Sequence, residues 1–305
     1  MSETFAPLNE AIESFFAQPQ AEARRIFHGR GQLYPGLEHI CVDWYAPLVL
    51  VSAFDAVADP GLLVATLLAA DKNQQIQSIV LQRRYEQGVP AETLYGETLD
   101  TITVVESGLK FEVHPGRRQN AGLFMDMRLV RRWLIENCRE RNVLNLFAYT
   151  CSLSVAALAG GARSVTNVDV SKTSIAWGKR NHALNGQPSD SVRAIPFNLF
   201  TSWGRVKQYG RYDVVIIDPP TRQRGSFEAE KDYAAVVKRL GGLCNPGAEI
   251  IACLNSPFLQ SSWMHALFEA HCPTAEFIER MAVAPEYPDR EPEMGLKIFR
   301  FRMAG

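Results

Sequence analysis

The chain is 305 residues long, 47% hydrophobic and 21% charged, with a formal net charge of -1. This is a globular composition of about two domains, and it has no global positive excess, so any nucleic-acid partner must be held by local basic patches. There is no basic-flanked apolar leader and no apolar run long enough to span a bilayer, so a cytoplasmic protein with no membrane partner is expected.

Six cysteines stand at positions 41, 138, 151, 244, 253 and 272 without a C-x-x-C pair. Reduced thiols are expected, with neither a metal site nor a disulfide framework. In chain order, FAPLNEAIESFF reads as a short amphipathic helix, and RIF, HICVDWY and PLVLVSAF as strands broken by the turn material GRGQLYPG. DPGLLVATLLAADKN reads as a helix with Asp59 as N-cap and Pro60 in its first turn. SIVLQRRY is a further strand, and TITVVES and LKFEVHP form a pair joined through Gly108. These pieces predict a small α+β domain over residues 1–115.

From about residue 116 onward the chain becomes a second domain, running to residue 305, in which strands and helices alternate. LFMDMRLVRRWLIENC is helical, VLNLFAY a strand, SLSVAALAGG a helix, SVTNVDV a strand, KTSIAWGKRNHALNG a helix and SVRAIPFN a strand. VVIIDPP, the helix EKDYAAVVKRLGGLC, the strand AEIIACLN, the helix SSWMHALFEAHC and the strands AEFIERMAV and LKIFRFRM complete it. The alternation predicts an α/β fold, a doubly wound sheet with helices on both faces.

Three strand ends fall on one edge of that sheet. NLFAYTCS stops at a turn and enters a helix of small residues, where backbone N–H groups can meet a ligand carboxylate. TNVDVS ends in Asp169, placed to take a ribose hydroxyl pair. DVVIIDPPT drives a buried strand into Asp218, Pro219 and Pro220, and neither proline can continue a ladder. Each has a structural explanation when taken alone: a tight turn, an N-cap for the next helix, a cap on a proline turn. Occurring together in this order, they point to a nucleoside-bearing cofactor.

NAGLFMDMRLVRR, VLNLFAYTCSLSVAALAGGA, VTNVDVSKTSIAWGKRNHALNG and DPPT resemble the class I S-adenosylmethionine-dependent methyltransferases that act on large-subunit ribosomal RNA. The chain is similar both to the cytosine-C5 enzymes and to the guanine-N7 methyltransferase domain of that family, over most of residues 105–303. RIFHGRGQLYPGLEHICVDWY resembles the small domain that precedes the catalytic domain in the cytosine enzymes. With only residues 1–24 before it, their RNA-binding PUA module is expected to be absent. The resemblance implies a Rossmann-like catalytic sheet, S-adenosyl-L-methionine as methyl donor, S-adenosyl-L-homocysteine as product and ribosomal RNA as partner.

The same resemblance implies site residues. Phe124, Asp126 and Arg128 match a segment that folds over the cofactor, and Asn145, Phe147, Tyr149 and Thr150 match the first cofactor turn. Asp169 and Val170 match the ribose position, Asn198 and Leu199 the adenine position, and Asp218, Pro219 and Pro220 the substrate-facing turn. Two departures stand out. Cys151 replaces a usual glycine, placing a larger side chain near the methionine carboxylate, and Asn198 replaces a usual aspartate.

Methylation at carbon-5 of a pyrimidine requires a thiolate to add at carbon-6 first. In the family that cysteine follows the strand after DPP. Here Leu254 stands in its place with Cys253 one position early, on the opposite face of a strand, so Cys253 is expected in the core. CLNSP instead resembles the asparagine-bearing segment of the guanine-N7 enzyme, with Asn255 as a candidate for holding the base edge. Guanine N7 is therefore the favoured target atom, with cytosine C5 and a non-catalytic RNA-binding protein as alternatives. Arg117, Arg118, Arg128, Arg131 and Arg132 before the sheet, with Arg222 and Arg224 after DPPT, are candidates for gripping RNA phosphates. Tyr233 or Phe227 could stack an exposed base, with packing the default for either.

Overall fold

The computed structural model describes residues 5–117, 119–223 and 227–305, with residues 222 and 223 described in backbone only. It divides into two compact units, Met1–Asp126 with Ala284–Arg290, and Met127–Val283 with Glu291–Gly305.

In the first unit, helix α1 (Ala6–Phe16) precedes strands β1 (Arg24–His28), β2 (Ile40–Tyr45) and β3 (Leu48–Ala53). Helix α2 (Pro60–Ala70), strands β4 (Ser78–Arg83) and β5 (Ala91–Gly96) and the hairpin β6 (Ile102–Glu106) and β7 (Leu109–Val113) follow. The sheet runs β1-β2-β3-β4-β5, and only β3 and β4 are parallel, because α2 supplies the crossover that a parallel pair needs. Asp59 caps α2 by accepting from the Leu62 N–H at 2.9 Å. Alternation splits the sheet's faces. Val42, Trp44, Val49, Val51, Ile79 and Leu81 pack in a core with Leu8, Ile12 and Phe16 of α1. The intervening Asp43, Ser52 and Gln82 face the other way. Strand β5 has no apolar alternation to announce it, being an edge strand of mostly exposed residues.

The second unit contains α3 (Arg128–Asn137), β8 (Asn142–Leu146), α4 (Ser152–Ala159), β9 (Ser164–Val168), α5 (Lys172–Leu184), β10 (Val192–Ile195), α6 (Trp203–Gln208) and β11 (Tyr212–Ile217). A two-residue hairpin, β12 (Arg222–Gln223) and β13 (Phe227–Glu228), leads to α7 (Ala229–Val237), α8 (Leu240–Leu243), β14 (Cys244–Leu254), α9 (Ser261–His271), β15 (Ala275–Met281) and β16 (Lys297–Met303). The helix expected over EKDYAAVVKRLGGLC is thus two helices. The adjacent Gly241 and Gly242, poor helix formers, leave only a single turn after the first closes.

The seven-stranded sheet has the order β10-β9-β8-β11-β14-β16-β15. Its first five strands are parallel, and β16 is antiparallel to both neighbours. The chain winds outward from β8 to β10 and then returns to β11, so the switch in winding direction falls between β8 and β11. Open α/β sheets bind ligands outside the carboxyl ends of the strands at such a point. Among the described residues, no helix is long and apolar enough to cross a membrane.

One side chain ties the carboxyl ends of β11 and β14 together. Tyr233 of α7 is wholly buried; its hydroxyl donates to the Cys253 carbonyl at 3.1 Å and, at a longer 3.5 Å, reaches the Ile217 carbonyl. Burial first, then nearby Cys253 and Asp218, raises its phenol well above the usual value, so it stays a donor. Its neighbour Phe227 is also buried, packed on Phe147, Phe200 and Tyr233. Neither ring presents a face to an incoming base; both pack, the default for such residues. Tyr233→Phe should leave the buried carbonyls short of a donor and lower stability by about 1–3 kcal/mol, measured by urea unfolding.

Candidate active site

Leu146 of β8 pairs with Val168 of β9 on one side and with Ile217 of β11 on the other. The next residue on each strand, Phe147, Asp169 and Asp218, therefore leaves the sheet at one level. Three of the sequence-derived positions are brought together by register alone.

The turn after β8 has an unusual backbone. Phe147, Tyr149 and Cys151 have positive φ values of 60°, 46° and 62°, none of them glycine. Within it the Ala148 N–H donates to the Val168 carbonyl at 3.0 Å and the Cys151 N–H to the Ala148 carbonyl at 2.7 Å, and the turn runs into the N-terminus of α4. Asp169 holds it in place: one carboxylate oxygen accepts from the Tyr149 N–H at 2.8 Å and the other from the Ser171 N–H at 2.8 Å. Each oxygen retains a lone pair for a further donor such as a ribose hydroxyl. Asp169 is not the cap of α5; Ser171 is, accepting from the Ser174 N–H at 3.1 Å. Burial raises the Asp169 pKa, against the lowering effect of the Ser171 and Tyr149 N–H groups.

The Cys151 side chain stays against the turn, its thiol 3.9 Å from the Tyr149 carbonyl. Its thiol is buried over α5, at a place where a Cβ on Gly178 would lie 2.3 Å from the sulfur. The glycine missing from the turn has in effect a counterpart in the facing helix, and burial pushes the thiol strongly upward. Asn145 lies within β8 rather than in the turn: it is buried, with Nδ2 donating to Ser154 Oγ at 2.9 Å and to Asn167 Oδ1 at 3.3 Å. Thr150 is also buried, its carbonyl accepting from Asn181 at 2.9 Å. Val170 is exposed beside Asp169. Asn198 turns its amide oxygen onto the Phe200 N–H at 2.9 Å, capping a short 3-10 turn whose first residue, Leu199, is buried.

On the β11 side, Asp218 is half-buried, Pro219 buried and Pro220 exposed. The Thr221 hydroxyl donates to the Asn255 carbonyl at 2.8 Å, linking the proline turn to the loop after β14. That loop is pinned from below. Lys297, fully buried, donates to the carbonyls of Ser256 at 2.9 Å, Glu293 at 2.6 Å and Gly295 at 2.9 Å. The Asn255 side chain is exposed, and Phe258 three residues on is 82% exposed. Sequence reasoning missed Lys297 and Phe258, since a lysine opening an apolar strand and a phenylalanine after a proline carry no motif.

Arg131 is buried and donates to Ser152 at 3.3 Å; Arg132 pairs with Glu136 at 3.0 Å on its own helix; Arg117 lies 3.6 Å from Asp100. Arg128 opens α3. Phe124 is exposed and Asp126 half-buried in the first unit. Arg222 sits in β12, and Arg118 and Arg224 lie outside the described residues. Among the described residues, no group of three or more His, Cys, Asp or Glu could hold a metal ion.

A family model described as S-adenosylmethionine-dependent methyltransferase matches residues 24–302. The chain is 33% identical over 272 residues to the ribosomal RNA large subunit methyltransferase K/L of Shewanella pealeana, covering 82% of this chain and 37% of that one. It is 39% identical over 231 residues to the same-named protein of Shewanella woodyi, covering 70% and 32%. It thus spans only 37% and 32% of the length of these curated relatives. Among solved structures, it is similar to SMU.776, described as a methyltransferase complexed with SAH, at TM-score 0.83 and 23% identity, covering 99% of this chain and 80% of that one. It is also similar to a complex of aTrm5 and tRNALeu, at TM-score 0.62 and 16% identity, covering 90% and 78%. At these identities the likeness is one of fold.

Two predictions follow from the turn. Gly178→Ala should overpack the Cys151 thiol and cost about 1–3 kcal/mol, and most of that cost should vanish in a Cys151→Gly background, a coupling read by a double-mutant cycle. The second concerns pH. A carboxyl whose folded pKa is raised favours the fold when protonated, a contribution lost as pH rises through that value. A ribose-binding carboxylate has the opposite need. Affinity for S-adenosylhomocysteine should therefore fall as pH drops from neutral through the raised Asp169 pKa, and Asp169→Asn should flatten that calorimetric profile.

Proposed function

Because the chain belongs to the S-adenosylmethionine-dependent methyltransferase family, we propose that it methylates a base of large-subunit ribosomal RNA, at guanine N7. The names of the curated relatives support the RNA class. The observation that carries the choice of atom is that all six cysteines are buried. Carbon-5 chemistry needs an accessible thiolate, whereas burial pushes Cys138 and Cys244 up to about 12. Cys253 sits inside β14, paired with Ile298 of β16 and fully covered. Leu254, at the family's cysteine position, is part of the hydrophobic core.

The residues fit the methyl donor. The N-terminus of α4, presented by the turn through Phe147, Tyr149 and Thr150, would lie at the methionine carboxylate, Asp169 at the ribose hydroxyls, and Asn198 with Leu199 at the adenine. S-adenosylmethionine supplies a methyl group on a positively charged sulfur, and guanine N7 already carries the lone pair that takes it. No proton has to be removed, so the protein's task is orientation and charge placement. Asp218, Pro219 and Pro220 form a stiff edge for the base, Asn255 offers a carboxamide beside it, and Phe258 offers an exposed ring for stacking on RNA. Arg222 and Arg224 follow the proline turn as phosphate contacts.

The test is full-length protein on an unmodified 23S ribosomal RNA transcript, with nucleosides read by mass spectrometry. The product should be 7-methylguanosine, with Cys253→Ser turning over within a few-fold of wild type. Asp218→Ala should lose on the order of a hundredfold in rate with the cofactor still bound. Transcript carrying 5-fluorocytidine should form no stable adduct. A covalent adduct that disappears in Cys253→Ser would replace this reading with the cytosine-C5 one.

A further inference from the structure

The sheet of the first unit buries one face under its helices. Its other face carries Cys41, Asp43 and Tyr45 of β2, Ser52 of β3 and Gln82 of β4, and lines a cavity of about 260 Å³. Polar side chains on the open face of a sheet are ordinarily a solvated surface. Here three guanidiniums, from Arg25, Arg30 and Arg84, converge on the same cavity, and residues 119–126 form another of its walls.

The positive charge is unevenly spent. Arg25 is held by Asp43 through two bonds, at 2.8 and 2.9 Å, and lies 4.5 Å above the Tyr287 ring. Its third contact, at 2.7 Å, is with His28 Nδ1. Arginine can only donate, so His28 accepts there and carries its proton on Nε2. Burial first, then Arg25 and Arg30, lowers the His28 pKa to about 3, so the imidazole stays neutral. Arg30 and Arg84 stack on one ring, 4.3 and 5.2 Å from the Phe54 centroid. Arg84 gives one bond to the Gln119 carbonyl at 2.9 Å. Among the described residues, no ion pair or side-chain hydrogen bond engages the Arg30 guanidinium. The acids in the lining are Asp43 and Asp126, two against three guanidiniums.

We propose that this cavity is a phosphate site for the RNA substrate, with Arg30 and Arg84, aligned by Phe54, gripping one phosphodiester. Guanidiniums fixed by an aromatic ring lose little freedom on binding and match phosphate oxygens in pairs. The cavity has room for part of the attached nucleotide. This assignment rests on the ribosomal RNA reading above and gives the first unit a defined part in it.

The experiment compares full-length wild type with the Arg30→Gln/Arg84→Gln double variant. Affinity for an unmodified 23S ribosomal RNA transcript is measured over a series of salt concentrations, and S-adenosylhomocysteine affinity by calorimetry. Losing one phosphate contact should weaken RNA binding and reduce the slope of log affinity against log salt by about one, with S-adenosylhomocysteine affinity unchanged. Arg30→Lys/Arg84→Lys, which keeps the charges and serves if the glutamine variant fails to fold, should retain most of the slope but bind less tightly. Equal RNA affinity and slope in wild type and both variants overturns the phosphate site and leaves the RNA reading standing. No RNA binding by wild type removes that reading, and this one with it. If inorganic phosphate protects wild type from heating more than the variants while RNA binding is unaltered, the cavity is a small-anion site and the proposal fails.

Discussion

Leu146, Val168 and Ile217 sit side by side at the carboxyl ends of three parallel strands, and the site depends on that register. A slip of one residue in any of the three would turn its whole side-chain set to the other face of the sheet. It would also withdraw Phe147, Asp169 or Asp218 from the common level. The register is held from below by burial, of the aliphatics Val214 to Ile217 in β11 and of Val143, Leu144 and Leu146 around the hydrogen-bonded Asn145 in β8. From the side it is held by Tyr233, whose hydroxyl bonds to the last carbonyl but one of β14 and approaches the last of β11. Chemistry at the edge thus rests on packing in the interior.

The edge itself is a place where local rules are broken and the cost is met nearby. Three non-glycine residues with left-handed backbone in one five-residue turn represent strain of the kind that surrounding structure must over-determine. The surroundings do so: Asp169 takes the Tyr149 N–H, Asn181 takes the Thr150 carbonyl, and Gly178 makes room for the Cys151 thiol. Asp169 carries a cost of its own, since burial disfavours its charge while two N–H groups favour it. A site that holds a carboxylate half-buried and half-satisfied keeps binding energy in reserve for a ligand that completes its hydrogen bonds.

Much of this was legible in the sequence because it is local. Strand ends marked by acids and prolines, the Asp59 cap, and alternation in β2 and β3 each need only a few neighbouring residues to be recognised. What was not legible depends on pairs far apart in the chain. The spacing of Cys151 and Gly178 has no motif, yet the two share one volume. The cluster Arg117, Arg131 and Arg132 reads as a basic patch until Asp100, Ser152 and Glu136 are seen to occupy those groups. That Tyr233 packs is the default for its sequence, but which carbonyls its hydroxyl meets, those of Cys253 and Ile217, is not legible there. β5 is hidden for a different reason: an edge strand exposed along most of its length has no apolar period to read.

The loop between β14 and α9 shows how the fold spends buried polar groups on geometry. A lysine ammonium with no exposure is costly unless its donors are all met, and Lys297 has three donors for three carbonyls. Through Ser256 it fixes the residue after Asn255, and through Asn255 the link reaches Thr221 and the proline turn. At the far end Glu293 accepts from the backbone and hydroxyl of Ser261, anchoring the start of α9. The loop is therefore held at its base and at its exit, and between them it exposes Asn255 and Phe258. On the proposed N7 reading, a transfer that asks only for alignment of a lone pair with a methyl group would be served by such a rigid frame, whereas a covalent route would also need an accessible thiolate.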